Sequence, residues 1–367
     1  MNGAIRSHLL KLVFKEDATY LELLTIALAF AVLWFVAFKL FAMVVRPWAM
    51  KSPALRRAQE RDYDKMDEGA KDFIGVADLS KEEAINKMLY LWPTWQALFI
   101  QHVVGGSLCI PSLFGSGDSS VASSLAVCGI LSEVGWEMED FIVNFPLPMF
   151  MVFHHSLASV MGLPMVKNYR TSRTLHWLCF DLQIIGLVQP LLTYTSLLDV
   201  TKRSDLFQMK FINIIYLIFI GWTRGIHWCI CVAKMCMTWY HDEVWVFFAI
   251  GTPVLVVFSL LNFMFVTQAW KRCTKFLNAS AEVESLPADA PETKRRQSLF
   301  QLQEAVDEIA RTEFDIAAMI EELFETRDVK KRHTIAGGRA NRRSTLRRQM
   351  MGAARFHSAP DINLKND

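Results

Sequence analysis

Several ionisable side chains lie within one mainly apolar stretch of the sequence. They include Glu133, Glu137, Asp140, His154, His155 and Asp181. An Asp at the centre of a bilayer costs about 2.5–3.5 kcal/mol on insertion scales, so such groups face a polar interior and pair with one another. A histidine there can act as a general base or accept an acyl group, with a carboxylate orienting its ring. The stretch therefore predicts a polar, functional centre inside an apolar domain.

The spacing of these residues indicates which of them share a surface. Glu133, Glu137 and Asp140 follow an i, i+4, i+7 pattern, which places them on one stripe of a helix. His154 and His155 are adjacent, so their side chains point about 100° apart on a helix. One ring can then face a cavity while the other packs or contacts lipid. A structural hydrogen-bonding role for both rings is the alternative.

A second polar group is expected from two later helices. Asp181 and Gln183 are close together in one helix, and Arg224 and His227 lie one turn apart in the next. A buried Arg224 requires an anion, and Glu133, Asp181 or a lipid headgroup could supply it. A structural ion pair and a substrate clamp both explain this arginine. The polar cavity is therefore predicted to contain Glu133, Glu137, Gln183, Arg224 and His227.

No metal or other cofactor is predicted, because the sequence has no HxxE or HxxxH spacing. The seven cysteines mostly lie in apolar segments and form no double CxxC pattern. They are interpreted as small buried apolar residues.

Composition indicates an all-α, polytopic membrane bundle. Hydrophobic residues make up 52% of the chain, the mean hydropathy is +0.23, and the apolar residues come in long blocks. Seven transmembrane helices are predicted, over residues 20–45, 89–114, 121–140, 147–165, 175–198, 211–238 and 244–269. The corresponding organisation is an N-terminal segment (1–19), a first span (20–45), a cytosolic loop (46–88), a membrane domain (89–270), a linker (271–291), an amphipathic helix or coiled coil (292–327) and a basic, disordered tail (328–367).

Basic residues in the loops predict the orientation. The loop behind the first span and the loop with Lys202, Arg203 and Lys210 are basic, so both are expected in the cytosol, together with the C-terminus. Lys167, Arg170 and Arg173 disagree, because seven crossings place them on the opposite side. Either the rule is violated there or the fourth segment does not cross.

Two heptad-spaced apolar series mark residues 299–323. The first contains Leu299, Val306 and Ile320 and is interrupted by the charged Glu313, and the second contains Leu302, Ile309, Ile316 and Leu323. This seam predicts self-association as a coiled coil or docking on the membrane domain of the same chain. The basic tail after it is interpreted as solvated or in contact with anionic lipid. No nucleic-acid partner is expected.

The order of the polar residues resembles the TLC-domain family, which includes ceramide synthases and translocating-chain-associating membrane proteins. The motif is carried by Asp140, the pair His154-His155, the turn Asn168-Tyr169-Arg170, Asp181 and Arg224, within residues 89–269. The resemblance implies His154 or His155 as the acyl-accepting or base residue, with Asp140 and Asp181 as partners. The chain departs from the ceramide synthase pattern at Ala158, where a Thr is expected, and at Phe180, where a His is expected.

Three functions are compatible with these residues and this resemblance. The first is a TLC-like protein of the endoplasmic reticulum that binds, senses or helps traffic membrane lipids, and the two departures favour it. The alternative is an N-acyltransferase that moves a fatty acyl group from acyl-CoA to a sphingoid base. A transporter or channel is the second alternative, which the absence of a repeat or a ring of charges in the sequence disfavours.

Overall fold

The described part of the chain is entirely helical in its regular structure. The computed structural model describes residues 15, 17–66, 71, 74–115, 120–143, 149–287 and 290–310, and no strand occurs among them. The helices are α1 (Tyr20–Lys51), α2 (Pro53–Lys65), α3 (Lys81–Gln96), α4 (Leu98–Phe114), α5 (Ser120–Val143), α6 (Met149–Tyr169), α7 (Arg173–Ile184), α8 (Gln189–Thr195), α9 (Arg203–Ile220), α10 (His227–His241), α11 (Trp245–Ser285) and α12 (Glu292–Ala310). The predicted all-α bundle is confirmed.

Six helical segments among the described residues are long and apolar enough to cross a membrane. They are Tyr20–Lys51, Lys81–Phe114, Ser120–Val143, Arg173–Thr195, Arg203–His241 and Trp245–Ser285. Three of them join two numbered helices, through a turn at Ala97, a 3-10 turn at Ile185–Leu187 and a π-helical turn at Gly221–Ile226. The remaining span predicted from sequence, residues 147–165, corresponds to α6, which has 21 residues.

Helix α5 lies at the centre of the bundle. It packs against α1, α4, α6 and α7. In its 18-residue apolar stretch 72% of the residues are buried, whereas the corresponding share for α1 is 22%. Glycines allow the closest approaches, since a Cβ atom at Gly135 would lie 2.5 Å from the Ala27 carbonyl oxygen of α1. Small residues at helix crossings serve this purpose in membrane bundles. The helix that carries the predicted carboxylates is therefore held from several sides.

The loop predicted over residues 46–88 contains regular structure. Helix α1 continues through Pro47 to Lys51, beyond its predicted end, because no capping residue occurs before Ser52. Ser52 then caps α2, accepting a hydrogen bond from the Leu55 amide at 3.3 Å, with Pro53 in the first turn. Helix α2 packs on α3.

The linker predicted over residues 271–291 is helical as far as Ser285, because α11 extends well beyond residue 269. The reason is that Cys273 and Phe276 are buried and provide an apolar face on which α12 docks. Leu302 and Val306 of α12 are at most 1% exposed in this contact. The described half of the heptad seam thus packs within the chain, and residues 311–367 lie outside the described part. Self-association through residues 299–323 stays a prediction, and it requires α12 to undock first.

The basic residues after α6 lie at the same end of the bundle as the start of α1. Lys167 donates a hydrogen bond to the Ala18 carbonyl at 3.0 Å, and Arg173 donates one to the Leu113 carbonyl at the end of α4. The other end of α6 adjoins the C-terminal part of α5. Helix α6 therefore runs antiparallel along α5, and both explanations for these basic residues stay predictions.

Arg170 is expected to contribute strongly to stability at this end. Its guanidinium is 9% exposed and donates to the Ser124 hydroxyl at 2.8 Å and to the Lys15 carbonyl. Because each hydrogen bond to a charged group contributes about 1.5–3 kcal/mol, Arg170→Met should lower the free energy of unfolding by roughly 3 kcal/mol. Lys167→Met, which removes an exposed cation, should cost less than about 1 kcal/mol. Thermal unfolding in detergent measures both, and equal shifts would contradict the assignment.

Candidate functional site

The three predicted carboxylates of α5 differ in burial, and a fourth carboxylate of this helix, Glu139, is also buried. Glu137 is 1% exposed, while Glu133 and Asp140 are partly buried. Glu133 accepts a hydrogen bond at 2.7 Å from the Gln101 amide of α4. Glu137 accepts one at 3.1 Å from the Ser159 hydroxyl of α6. Each of these two acids is therefore paired with a neutral donor from a neighbouring helix.

His155 is paired with Asp140 across the α5–α6 contact. Its Nε2 atom lies 2.8 Å from Asp140 Oδ2, and its Nδ1 atom lies 4.0 Å from Glu137 Oε1. Its side chain is 0% exposed. An imidazole between two carboxylates can hold or exchange a proton within the membrane domain. The side chain of His154 lies outside the described side chains.

Aromatic rings close the His155 site. The Trp136 ring packs edge-on at 5.2 Å between centroids, and the Phe141 ring does so at 5.8 Å. Trp136 also contacts His102 at 5.8 Å, and His102 occupies the space next to Gly186, where a Cβ atom would lie 2.3 Å from its ring. A substrate can reach His155 only if these rings move.

The sequence predicted that Asp181 shares a cavity with the two histidines, but its partner is His227. The Asp181 Oδ2 atom lies 2.7 Å from His227 Nδ1, joining α7 to α10. Asp181 is 1% exposed, whereas the His227 side chain is 18% exposed. The His227 ring lies between Trp177, at 4.7 Å, and Trp222, at 5.8 Å. The predicted residues therefore form two His–Asp pairs on different helices.

Arg224 forms hydrogen bonds to neutral groups beside the second pair. It donates to Asn262 Oδ1 at 3.0 Å and to the Leu182 carbonyl at 2.8 Å. Leu182 follows Asp181 in the chain, so the guanidinium is held close to that carboxylate. Gln183, on the same helix, instead donates to the Gly129 carbonyl of α5 at 2.9 Å. Gln183 therefore connects α7 to the central helix and does not take part in the His227 pair.

A π-helical turn positions Arg224 and His227. Residues Gly221–Ile226 form this turn between α9 and α10. Its extra residue per turn rotates α10 relative to α9, and such turns occur frequently at functional sites. Hydropathy does not predict this rotation of α10, because the apolar pattern continues through the turn.

Four further residues complete the two centres and were not predicted. Ser159 and Trp136 belong to the first, and Asn262 and Cys231 belong to the second. Ser159 follows His155 by four residues, and Cys231 follows His227 by four, so helical spacing could have revealed both. Nothing in the sequence indicates that Asn262 of α11 faces Arg224.

Comparison with known proteins assigns no family to this chain. Scans against protein-family models, curated proteins and solved structures each returned no match. The resemblance to the TLC-domain family thus rests on the motif residues alone and stays a prediction. What the described residues establish is an all-α bundle with six helical segments of membrane-spanning length and character.

Proposed function

We propose that this chain is an integral membrane protein that binds a lipid and holds one acyl chain in a cleft. The cleft lies between α1, α3, α4 and α8 and has a volume of about 210 Å³. It is lined by Phe41, Val45, Trp48, Trp92, Gln96, Phe99, Pro190, Thr193, Tyr194 and Leu197. Pockets that enclose a whole small-molecule ligand measure about 300–1,000 Å³, so this smaller, mostly apolar cleft suits a segment of one hydrocarbon chain. This cleft is the observation that carries the proposal.

Two arginines beside the cleft favour an anionic lipid. The Arg46 guanidinium lies 3.7 Å from the centre of the Tyr90 ring and donates to the Tyr90 carbonyl, two residues before Trp92. Arg61 donates at 2.8 Å to the carbonyl of Ser196, which precedes Leu197 of the lining. Basic residues near the membrane surface attract anionic headgroups by about 1 kcal/mol each. Trp48 and Trp92 also suit the membrane interface, where aromatic rings concentrate.

One hydrophobic cluster connects the cleft with the His155 site. Phe41 of the cleft and Trp136, which contacts His155, both pack against the buried cluster of Trp34, Phe38 and Ala97. A chain held in the cleft therefore contacts a ring packed on the same cluster as the ring that closes His155. This arrangement supports lipid sensing as the role of the buried pair.

A larger side chain in the cleft should exclude the lipid. Thr193→Phe is expected to reduce the anionic phospholipid retained after purification in mild detergent by at least about fivefold, a free-energy change of about 1 kcal/mol. Native mass spectrometry measures the retained lipid. Thr25→Phe is the matched control, because Thr25 is exposed on α1 outside the cleft. Equal retention by both variants and the unmodified chain would reject this cleft as the binding site.

The headgroup part of the proposal has its own test. Arg46→Gln should weaken retention of phosphatidylserine by about fivefold and leave retention of phosphatidylcholine unchanged. An equal loss of both lipids would show that Arg46 supports the fold of the cleft and not the headgroup.

Acyl transfer is the second candidate function, and the His155–Asp140 pair favours it. A carboxylate 2.8 Å from an imidazole is the arrangement that orients a general base. With the family resemblance, this suggests transfer from acyl-CoA to a sphingoid base in the endoplasmic reticulum. Purified protein given both substrates should then form an N-acyl product that His155→Ala abolishes. Absence of product from the unmodified protein would leave lipid binding as the function.

A further inference from the structure

Three potential metal ligands come together where α7 meets α10. Asp181, His227 and Cys231 each offer one atom, and these atoms all lie within 4.8 Å of one another. The Cys231 Sγ atom is 3.9 Å from His227 Nδ1 and 3.8 Å from Nε2, and Asp181 Oδ2 is 2.7 Å from Nδ1. The group shares no residue with the lipid cleft.

The local fold explains why these ligands converge. His227 and Cys231 are spaced i, i+4 in α10, so they lie on one face, and the π-helical turn before His227 sets the direction of that face. Asp181 and Cys231 are 1% and 3% exposed, while the His227 ring is partly exposed beside Trp222. The group is therefore held by two helices and remains open at the imidazole.

We infer that Asp181, His227 and Cys231 form a binding site for a divalent transition metal of the zinc class. Zinc accepts carboxylate oxygen, imidazole nitrogen and thiolate sulfur at about 2.0–2.3 Å, so neighbouring ligand atoms of a tetrahedral ion stand roughly 3.3–3.6 Å apart. The separation of His227 Nδ1 and Asp181 Oδ2, 2.7 Å, lies about half an ångström below this range, and that of His227 Nδ1 and Cys231 Sγ, 3.9 Å, lies slightly above it. The two atoms furthest apart are within 4.8 Å of each other and differ more. Side-chain rotation about χ1 and χ2 can supply such changes.

Charge balance supports a doubly charged ion at this place. Binding releases the Cys231 thiol proton, and the proton on His227 Nδ1 moves to Nε2 when Nδ1 becomes a ligand. One carboxylate and one thiolate then offset the two positive charges of the ion, which reduces the cost of holding it among apolar side chains. The Arg224 guanidinium lies beside the site, where its hydrogen bonds to Asn262 and to the Leu182 carbonyl hold it close to Asp181.

With three protein ligands, a tetrahedral ion keeps a fourth position for water or another oxygen ligand. This is the arrangement of a reactive metal site, whereas structural zinc sites have four protein ligands. The metal site is independent of lipid binding, because it uses α7 and α10 and not the cleft.

Cobalt binding by the purified, full-length chain in detergent tests the site. After treatment with a chelator, the chain should bind about one Co²⁺ and show a thiolate-to-cobalt absorption band. Zn²⁺ should displace the cobalt and remove the band. Cys231→Ser should abolish the band and weaken binding at least about tenfold, and His227→Gln should weaken binding similarly.

Cys229→Ser is the matched control, since Cys229 is exposed and two residues away in the same helix. This variant should bind cobalt like the unmodified chain. Circular dichroism on each variant separates loss of the site from loss of the fold, and Asp181→Asn provides a further variant that preserves side-chain size. Failure of the unmodified chain to bind Co²⁺ or Zn²⁺, or an equal loss in Cys229→Ser and Cys231→Ser, would overturn the inference.

Discussion

Replacing Gly135 with alanine is expected to lower the free energy of unfolding by about 3 kcal/mol, because a single methyl group there forces two helices apart. The added Cβ atom would lie 2.5 Å from the Ala27 carbonyl oxygen, 2.6 Å from Phe30 Cβ and 3.0 Å from the Ala31 amide nitrogen. Backbone atoms cannot rotate away, so α1 must move as a whole. Thermal unfolding of the purified protein measures the effect.

The matched control for this prediction is Gly221→Ala. Among the described residues, no atom outside its own helical backbone and chain neighbours lies within 4 Å of the position of its added Cβ, and its backbone is helical, with φ at −61°. Alanine is favoured over glycine in helices by about 1 kcal/mol, so this variant should match or exceed the stability of the unmodified chain. Similar destabilisation by both substitutions would mean that α1 and α5 are not in close contact at Gly135.

Removal of Asp140 is expected to cost about 3–5 kcal/mol, because it leaves the fully buried His155 without its carboxylate. Asp140→Leu should therefore strongly lower the unfolding temperature. Asp140→Asn retains a carbonyl acceptor for the imidazole and should cost less. Ile142→Ala, at a 74% exposed position two residues away, should have little effect.

A double-mutant cycle distinguishes the pair from general damage to α5. His155→Phe combined with Asp140→Leu replaces both polar partners with apolar groups, so the double variant should be more stable than the sum of the single losses indicates. Additive losses would show that His155 and Asp140 are not coupled. This result would also remove the basis for acid–base chemistry at His155.

Hydropathy predicted the class of fold because long apolar helices are the usual way to place this many apolar residues in a membrane. It predicted helix ends less well, since these depend on caps and on tertiary contacts. Ser52 is one example, because its backbone caps the end of α1 and its side chain caps the start of α2. Phe276 is another, because the docking of α12 on this residue accompanies the extension of α11 to Ser285. The heptad pattern of α12 is the same for docking and for a coiled coil.

The candidate site was predictable as a set of residues but not as a set of pairs. Helical spacing indicates which side chains share a face, so Glu137 and Asp140 were correctly placed near each other, and both adjoin His155. Spacing within one helix does not indicate which helices adjoin. Asp181 was therefore assigned to the double histidine, although α7 packs on α10 and presents this carboxylate to His227.

The two His–Asp pairs differ in access. The rings of Trp136 and Phe141 enclose His155, whereas His227 remains 18% exposed. We therefore expect reagents that modify imidazole to reach His227 first. The enclosed His155–Asp140 pair suits lipid sensing, and the more accessible His227–Asp181 pair suits metal binding.

Photo-crosslinking from a lipid tests the proposed function most directly. An anionic phospholipid with a diazirine in its acyl chain would be reconstituted with the full-length chain, irradiated, and its adducts located by peptide mapping. Lipid binding in the cleft predicts adducts concentrated in residues 41–48, 92–99 and 190–197, which contain its lining. Adducts spread evenly over exposed residues of α9, such as Phe207, Phe211 and Ile218, with no excess in the cleft, would contradict this function.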